Sequence, residues 1–217
     1  YLSKKDNIVF KTNGDTEVLA HLLDKEDIEG LDCIQGMFAI GFVKNDTLTI
    51  VRDRHGETPI HYSLVDNALF PHLAFCSEIK GLKILGYENI QMLSPGSFIK
   101  YGSDNNVISG KWYDIRQHIK RNVFSDRPTA SQKFKDLVQQ GTMERTLSAV
   151  PVCSLNSGGI DSSVIAQALS QHNKNLVSYI AVYDEKSKDL RCARELAEML
   201  NITLVEVKVD APTTCLL

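Results

Sequence analysis

Two periodicities divide this chain. In the first half, short apolar or alternating runs are separated by turn residues. Met37–Val43 (MFAIGFV) is almost wholly apolar, as a buried strand is, and Thr47–Val51 (TLTIV) is β-branched and alternating. Asn45-Asp46 between them is a two-residue turn signal, so the pair predicts a hairpin. Pro59–Leu64 and Leu73–Cys76 read as two further strands, and Ser97–Tyr101 with Val107–Ser109 as a second hairpin around residues 102–105. Two helices fall among them. Asp15 is placed to cap one running to about Leu23, with Val18, Leu19, Leu22 and Leu23 on one face. Ser77 is placed to cap the other, with Ile79, Leu82 and Leu85 inward.

Residues 114–130 (DIRQHIKRNVFSDRPTA) are polar, contain a proline and predict a linker. A helix over Ser131–Leu147 follows, weakened by Gly141. The last third then alternates. Val150–Leu155, Leu176–Tyr183 and Ile202–Val209 are strand-like, with Val205, Val207 and Val209 alternating with Glu206 and Lys208. Ser162–Leu169 and Asp189–Leu200 are helical, the second with Leu190, Ala193, Leu196, Ala197 and Leu200 on one stripe. A β-α-β-α-β order predicts a parallel sheet covered by helices.

Composition narrows the classes. Hydrophobic residues are 43% and charged residues 24% of 217, ordinary for a globular protein. The net charge of −3 gives no basic excess for nucleic acid or a membrane surface, so neither is an expected partner. No apolar run approaches the roughly 20 residues of a membrane helix, and no signal peptide opens the chain. Five cysteines without a CxxC spacing read as reduced thiols of a cytoplasmic protein. Tyr1 at the start, and an end at Ala211–Leu217 without a polar tail, suggest an internal piece of a longer protein.

The sharpest motif is Ser157-Gly158-Gly159-Ile160-Asp161-Ser162-Ser163, at the turn from the first strand of the parallel unit into its first helix. Ligands of open parallel sheets bind at the carboxyl ends of strands. Paired glycines let the backbone turn tightly and approach a ligand. The helix N-terminus offers unpaired N–H groups and partial positive charge, which suit phosphate. Ser157, Ser162 and Ser163 add hydroxyl donors. Asp161 repels bare phosphate but suits a Mg²⁺ that bridges phosphates. A bare glycine pair would be read as a plain turn; three serines and one aspartate in seven residues favour phosphate binding.

This string resembles the SGGxDS loop of the PP-loop ATP pyrophosphatases, which cut ATP between the α and β phosphates and adenylate a carboxylate or carbonyl. Val150-Pro151-Val152 ahead of it, and Asp189-Leu190-Arg191-Cys192-Ala193-Arg194-Glu195-Leu196-Ala197 after it, are similar to the asparagine synthetase branch. The resemblance implies ATP and Mg²⁺ as cofactors. It places Asn156, Ser157, Gly158, Gly159, Asp161, Ser162, Ser163 and Val182 at the ATP and pyrophosphate site, with Asp161 reaching Mg²⁺ through pyrophosphate. The family usually carries leucine at the Asn156 position. Asp189 and Arg194 are as readily surface charges of a capped helix as functional groups.

Four strings of the first half resemble class II glutamine amidotransferases: Gly14-Asp15-Thr16-Glu17-Val18, Gly36-Met37-Phe38-Ala39, Arg52-Asp53-Arg54-His55-Gly56 with Pro59-Ile60-His61-Tyr62, and Phe75-Cys76-Ser77-Glu78-Ile79-Lys80. Thr58 and His61 depart from the usual Lys and Tyr. By this resemblance Asp15 binds the α-amino group of glutamine, a pairing that a fixed carboxylate suits. Arg52-Asp53 reads as a structural ion pair at a strand end. His21, His55, His61 and His72 share no metal or triad spacing. The nucleophile of that class is an N-terminal Cys whose own α-amino group is the base, and no cysteine here is that residue. No catalytic residue is therefore expected in this chain, which by itself is expected to be inactive.

The resemblances together imply a partial α+β domain of N-terminal-nucleophile type, a layered antiparallel-sheet glutaminase, over residues 1–113. A linker follows over 114–130, and then a partial α/β parallel-sheet PP-loop ATP pyrophosphatase domain over 131–217. The implied activity is ATP-dependent synthesis of asparagine from aspartate with ammonia from glutamine, through a β-aspartyl-adenylate. The implied partners are glutamine, aspartate and ATP, and the reading leaves room for a homodimer. A sister amide ligase of the β-lactam synthetase or peptide-cyclising kind is the first alternative, and a non-catalytic nucleotide-binding remnant the second. NAD and GMP synthetases share the loop but not this amidotransferase type.

Overall fold

The computed structural model describes residues 8–12, 14–65, 72–119, 124 and 126–209. The chain divides into two compact units, Tyr1–Arg121 and Asn122–Leu217. The boundary falls inside the interval 114–130, parts of which are helical. Asp114 caps a short helix, α3 (Ile115–His118), and residues 127–130 already belong to the next one. The chain ends and Ala211–Leu217 lie outside the described residues.

The first unit is layered. It opens with α1 (Asp15–Glu26) and a 3-10 turn (Asp27–Cys33). Strands β1 (Ala39–Lys44) and β2 (Thr47–Arg52) form a hairpin; β3 (His61–Val65) and β4 (His72–Cys76) form another. The short helix α2 (Ile79–Ile84), β5 (Gln91–Met92), β6 (Ser97–Gly102) and β7 (Val107–Lys111) complete it. One antiparallel sheet has the order β1-β2-β6-β7, the other β4-β3-β5. Asn45 and Asp46 both sit at positive φ, 48° and 55°, as the tight hairpin turn requires.

Strand β2 is buried on both faces, and the two-residue period explains how. Ile50 packs with Ile60, Leu73, Leu93 and Ile99, which come from both sheets. Val51 points the other way, onto Leu23, Ile28 and Leu31. The order helix, sheet, sheet agrees with the layered antiparallel domain expected from the sequence. Strand β1, expected to be buried, ends its sheet's strand order and is buried only in part: Ile40 and Phe42 pack on the core, while Val43 is 70% exposed. Two helix details also differ. Gly14, not Asp15, is the N-cap of α1, so Asp15 is its first helical residue. Helix α2 buries Leu82 alone, because one and a half turns present one face; Ile79 and Leu85 are exposed.

Arg52 and Asp53 do not form the ion pair expected of them. Each is buried and each is spent on the backbone. Asp53 accepts hydrogen bonds from the amides of His55 (3.0 Å), Glu57 (3.0 Å) and Thr58 (2.9 Å). Arg52 donates to the carbonyls of Thr58 (2.8 Å), Leu93 (2.7 Å) and Gly56 (2.6 Å). Together they knit the 53–58 turn to the end of β2. Burial pushes the Asp53 carboxyl up, but the backbone amides outweigh it and hold the group below its usual range.

The second unit is α/β. Helix α4 (Arg127–Glu144) starts four residues before the expected Ser131, because Asp126 accepts from the Thr129 amide at 2.8 Å and Pro128 fits the first turn. Then come β8 (Ser154–Leu155), α5 (Ile160–Ser170), β9 (Val177–Val182), α6 (Lys188–Leu200) and β10 (Thr203–Lys208). The three strands are parallel in the order β10-β9-β8, as the alternating pattern predicts. Strand β8 is shorter than its apolar run: Val150 is exposed, and Pro151 has no N–H to give a ladder. Helix α6 is capped by Ser187, whose Oγ accepts from the Leu190 amide. Its stripe of Leu190, Ala193 and Ala197 is buried, the first two against Ile180 and Val182.

Asp53 carries a stability prediction. Its pKa is lowered on folding, so its contribution is present above the unfolded value of about 3.9 and is lost as pH falls through the lower folded value. Asp53→Asn places an NH₂ or an uncharged oxygen against backbone donors. It is expected to remove about 2–4 kcal/mol at pH 7 and to abolish this acid limb. Trp112, the one tryptophan, donates its indole N–H to the Arg52 carbonyl at 2.9 Å, so its fluorescence during urea unfolding reads the effect.

Candidate functional site

The site grows from the end of β8. Ser154 joins β8 to β9 through a buried hydroxyl pair with Ser178 (2.8 Å), and the Asn156 amide extends the ladder to the Tyr179 carbonyl (2.8 Å). The chain must then turn into α5. Asn156 folds its side chain back to do so. It is 2% exposed, and its Oδ1 accepts from the Gly158 amide (2.9 Å) and faces the Ser162 hydroxyl (3.4 Å). This is the local hydrogen bond by which asparagine stabilises turns.

Gly158 has a φ of +74°, and a Cβ there would lie 2.1 Å from the carbonyl oxygen of Asp189. Both the left-handed backbone and the close approach to α6 demand glycine. Gly159 is the N-cap of α5 and no side chain caps the helix. The first-turn amides of Ile160, Asp161 and Ser162 therefore have no intrahelical acceptor, and the helix presents its positive end there. Ser162 Oγ accepts from the Ser157 amide (3.2 Å), lies 3.1 Å from Ser157 Oγ and reaches the Gly159 carbonyl (3.1 Å). Ser163 Oγ donates to the same carbonyl at 2.7 Å. Asp161 stands exposed in the first turn. Seven sequence-predicted residues, Asn156 to Gly159 and Asp161 to Ser163, thus share one loop and helix start.

The loop borders a cleft of about 550 Å³ lined by Asn156, Ser157, Tyr179, Ala181, Tyr183 and Asp189, among others. Val182, the eighth predicted residue, does not turn its side chain into it. That side chain is 6% exposed and packs with Ile180, Leu190 and Ala193; only its backbone lies near the rim. The sequence reading passed over Tyr179 and Tyr183. The period-two pattern of β9 carried the signal, since it puts 179, 181 and 183 on one side. The cleft walls are aromatic and apolar, with Asp184, Ser187 and Asp189 at one end. Such a surface suits a flat ring with hydroxyl or amino groups, while the amides and hydroxyls at the start of α5 suit an anion.

The two charged residues of the α6 motif separate in role. Asp189 packs its carbonyl on Gly158 and lines the cleft. Arg194 points to β10 and grips Glu206 with both ends of its fork (2.6 and 2.7 Å), which holds the Glu206 carboxyl below its usual range. Arg194 is a clamp of the fold.

In the first unit, Asp15 is exposed at the start of α1, with the Thr16 hydroxyl 3.4 Å from its carboxylate. Glu17, which the sequence reading left without a role, accepts from the amides of Lys11 (2.8 Å) and Thr12 (2.6 Å) and from the Thr12 hydroxyl (2.7 Å). It pins the chain entering α1 and leaves Asp15 free to face solvent.

Comparison with known proteins bears on both units. Residues 2–92 match the family model described as glutamine amidotransferase domain, and residues 133–214 the one described as asparagine synthase. Over these two segments the chain resembles the glutamine-hydrolysing asparagine synthetases. An asparagine synthetase [glutamine-hydrolyzing] of Asparagus officinalis is 27% identical over 88% of this chain and 33% of its own length. That of Rattus norvegicus is 28% identical over 92% of this chain and 40% of its own. A Methanocaldococcus jannaschii protein provisionally given the same name is 31% identical over 92% of this chain and 38% of its own. The chain therefore spans about a third to two fifths of the length of these relatives. A solved glutamine phosphoribosylpyrophosphate amidotransferase from B. subtilis aligns with a TM-score of 0.44 at 16% identity, over 94% of this chain and 41% of that one. That distance says nothing about chemistry.

Gly158→Ala is expected to lower the stability of the second unit by about 2–4 kcal/mol, since it combines a left-handed alanine with a backbone clash. Gly159→Ala, whose Cβ meets only Ser157 Oγ at 3.4 Å, is expected to change it by less than about 1 kcal/mol. Amide hydrogen exchange of β9 and α6 separates the two.

Proposed function

We propose that this chain supplies part of a glutamine-dependent asparagine synthetase, and that its second unit binds ATP with Mg²⁺ at the Asn156–Ser163 loop. The observation that carries the reading is the uncapped start of α5, behind a glycine turn at the end of a parallel strand, in a chain that also carries the amidotransferase strings. The residues fit the ligand. Amides and hydroxyls of Gly159–Ser163 suit the phosphates, and Tyr179 and Tyr183 suit the nucleoside. Among the described residues no three His, Cys, Asp or Glu groups converge as a metal site. A Mg²⁺ at Asp161 would therefore take most of its ligands from phosphate and water, as that ion commonly does. When bound, it supplies neutralisation of charge on the departing pyrophosphate.

In the proposed reaction an oxygen of the aspartate side-chain carboxylate attacks the α-phosphorus of ATP. The bond to the β-phosphate breaks and pyrophosphate leaves. Ammonia from glutamine then attacks the acyl carbon, loses a proton, and AMP departs, leaving asparagine. The loop holds the phosphates in place and Asp161 positions the cation. In the first unit, Asp15 pairs with the α-ammonium of glutamine. We assign residues 1–113 to the amidotransferase part, 114–130 to the connection and 131–217 to the ATP-binding part. On the proposed substrates we assign the chain to the cytoplasm. Among the described residues no helix is long and apolar enough to cross a membrane.

Equilibrium titration of the 217-residue chain with ATP tests the reading. Saturable binding is expected with Mg²⁺, and Asp161→Asn is expected to weaken it by about tenfold, the loss of one charged metal contact. Failure of the unaltered chain to bind ATP, ATP binding unchanged by Asp161→Asn, or binding indifferent to Mg²⁺ would contradict it.

A further inference from the structure

Asn156 carries a buried polar atom that the loop leaves unused. Its Oδ1 is committed to the Gly158 amide and the Ser162 hydroxyl. That commitment fixes which way the carboxamide lies, because an NH₂ in place of Oδ1 would face the Gly158 donor. Its Nδ2 is buried and has no hydrogen-bond partner among the described residues. A buried donor left unpaired costs about 1–3 kcal/mol. The turn alone does not explain the asparagine, since Oδ1 is all the turn uses and aspartate would supply it.

We propose that Asn156 is a specificity residue of the cleft: Nδ2 donates a hydrogen bond to an acceptor on the nucleoside part of the bound nucleotide. The inference rests on the ATP-binding reading above and deepens it. Asn156 lines the cleft beside Tyr179, Ala181 and Tyr183, which are nucleoside-like surroundings. The phosphates belong at the start of α5, on the amides and serine hydroxyls, so the acceptor is a ring nitrogen or a ribose oxygen. The buried Nδ2 is reached when the loop adjusts. The Ser157 and Ser162 hydroxyls, which bond to each other and to loop backbone, are the contacts that exchange as the nucleoside enters. The same carboxamide then holds the turn through oxygen and reads the ligand through nitrogen.

The test pairs a variant with a series of ligands. Asn156→Asp keeps an oxygen for the Gly158 amide and removes the donor. Adenosine is the first probe, because it is neutral and unaffected by the added charge; its binding is read by displacement of ATP from the unaltered chain and directly by calorimetry. The second probe is a set of adenosines that each lack one ring nitrogen or one ribose hydroxyl. On the unaltered chain one member is expected to bind about tenfold more weakly than adenosine, the size of one net hydrogen bond. On Asn156→Asp, adenosine itself weakens about tenfold and that member weakens no further. Asn156→Leu, which also loses the turn acceptor, is the second variant and should show the same loss of discrimination. Equal adenosine affinity in Asn156→Asp and the unaltered chain, or an analogue series that both rank alike, would overturn the proposal. Failure of the unaltered chain to bind ATP at all would sink the ATP-binding reading and the inference with it. ATP binding with no discrimination at Asn156 would sink the inference alone.

Discussion

Everything at the strand end depends on the contact between Gly158 and the Asp189 carbonyl. With a Cβ separation that would be 2.1 Å, the loop has no room for any side chain there, and the backbone must be left-handed. That one constraint sets the rest. It lays the loop on the first turn of α6, aims the first turn of α5 outward, and forces Asn156 to turn inward and hold the Gly158 amide. The helix start left uncapped then presents three amides without intrahelical acceptors, with three serine hydroxyls bonded within the loop beside them. In the terms of elementary electrostatics, such a place is built for an anion.

The first unit obeys a different economy. Its centre is the double use of β2, whose neighbouring Ile50 and Val51 serve cores on opposite faces. The charged residues that follow are not a reactive pair. Arg52 and Asp53 bond only to the backbone, and they turn the exit of β2 into a rigid corner. Glu17 does the same for the entry to α1. Asp15, by contrast with these architectural charges, is exposed, with the Thr16 hydroxyl near its carboxylate.

Much of this was legible in the sequence, and the places where it was not share a cause. The hairpins, the parallel order and the loop followed from periodicity and from glycine, serine and aspartate at fixed spacing. Helix starts were misread at Asp15 and at Arg127, because cap residues look alike one position either way and Pro128 reads as a breaker unless the cap before it is recognised. Strand β1 looked buried because its run is apolar, but apolar residues cannot say how many sheets flank them. Val182 was placed at the site by resemblance, yet its side chain belongs to the core: a strand-end position can serve a ligand through its backbone alone. The orphaned Asn156 amide could not be read from sequence at all, since it depends on which oxygen accepts from Gly158.

The central claim is that the Asn156–Ser163 loop is a nucleotide site, and its most direct test is a crystal structure of the chain with Mg²⁺ and a non-hydrolysable ATP analogue. The account predicts phosphate density within hydrogen-bond reach of the amides of Gly159–Ser162, with the base against Tyr179 or Tyr183. Density for the analogue at another surface, or a loop left unchanged with its hydroxyls still bonded to one another at saturating ligand, would contradict it.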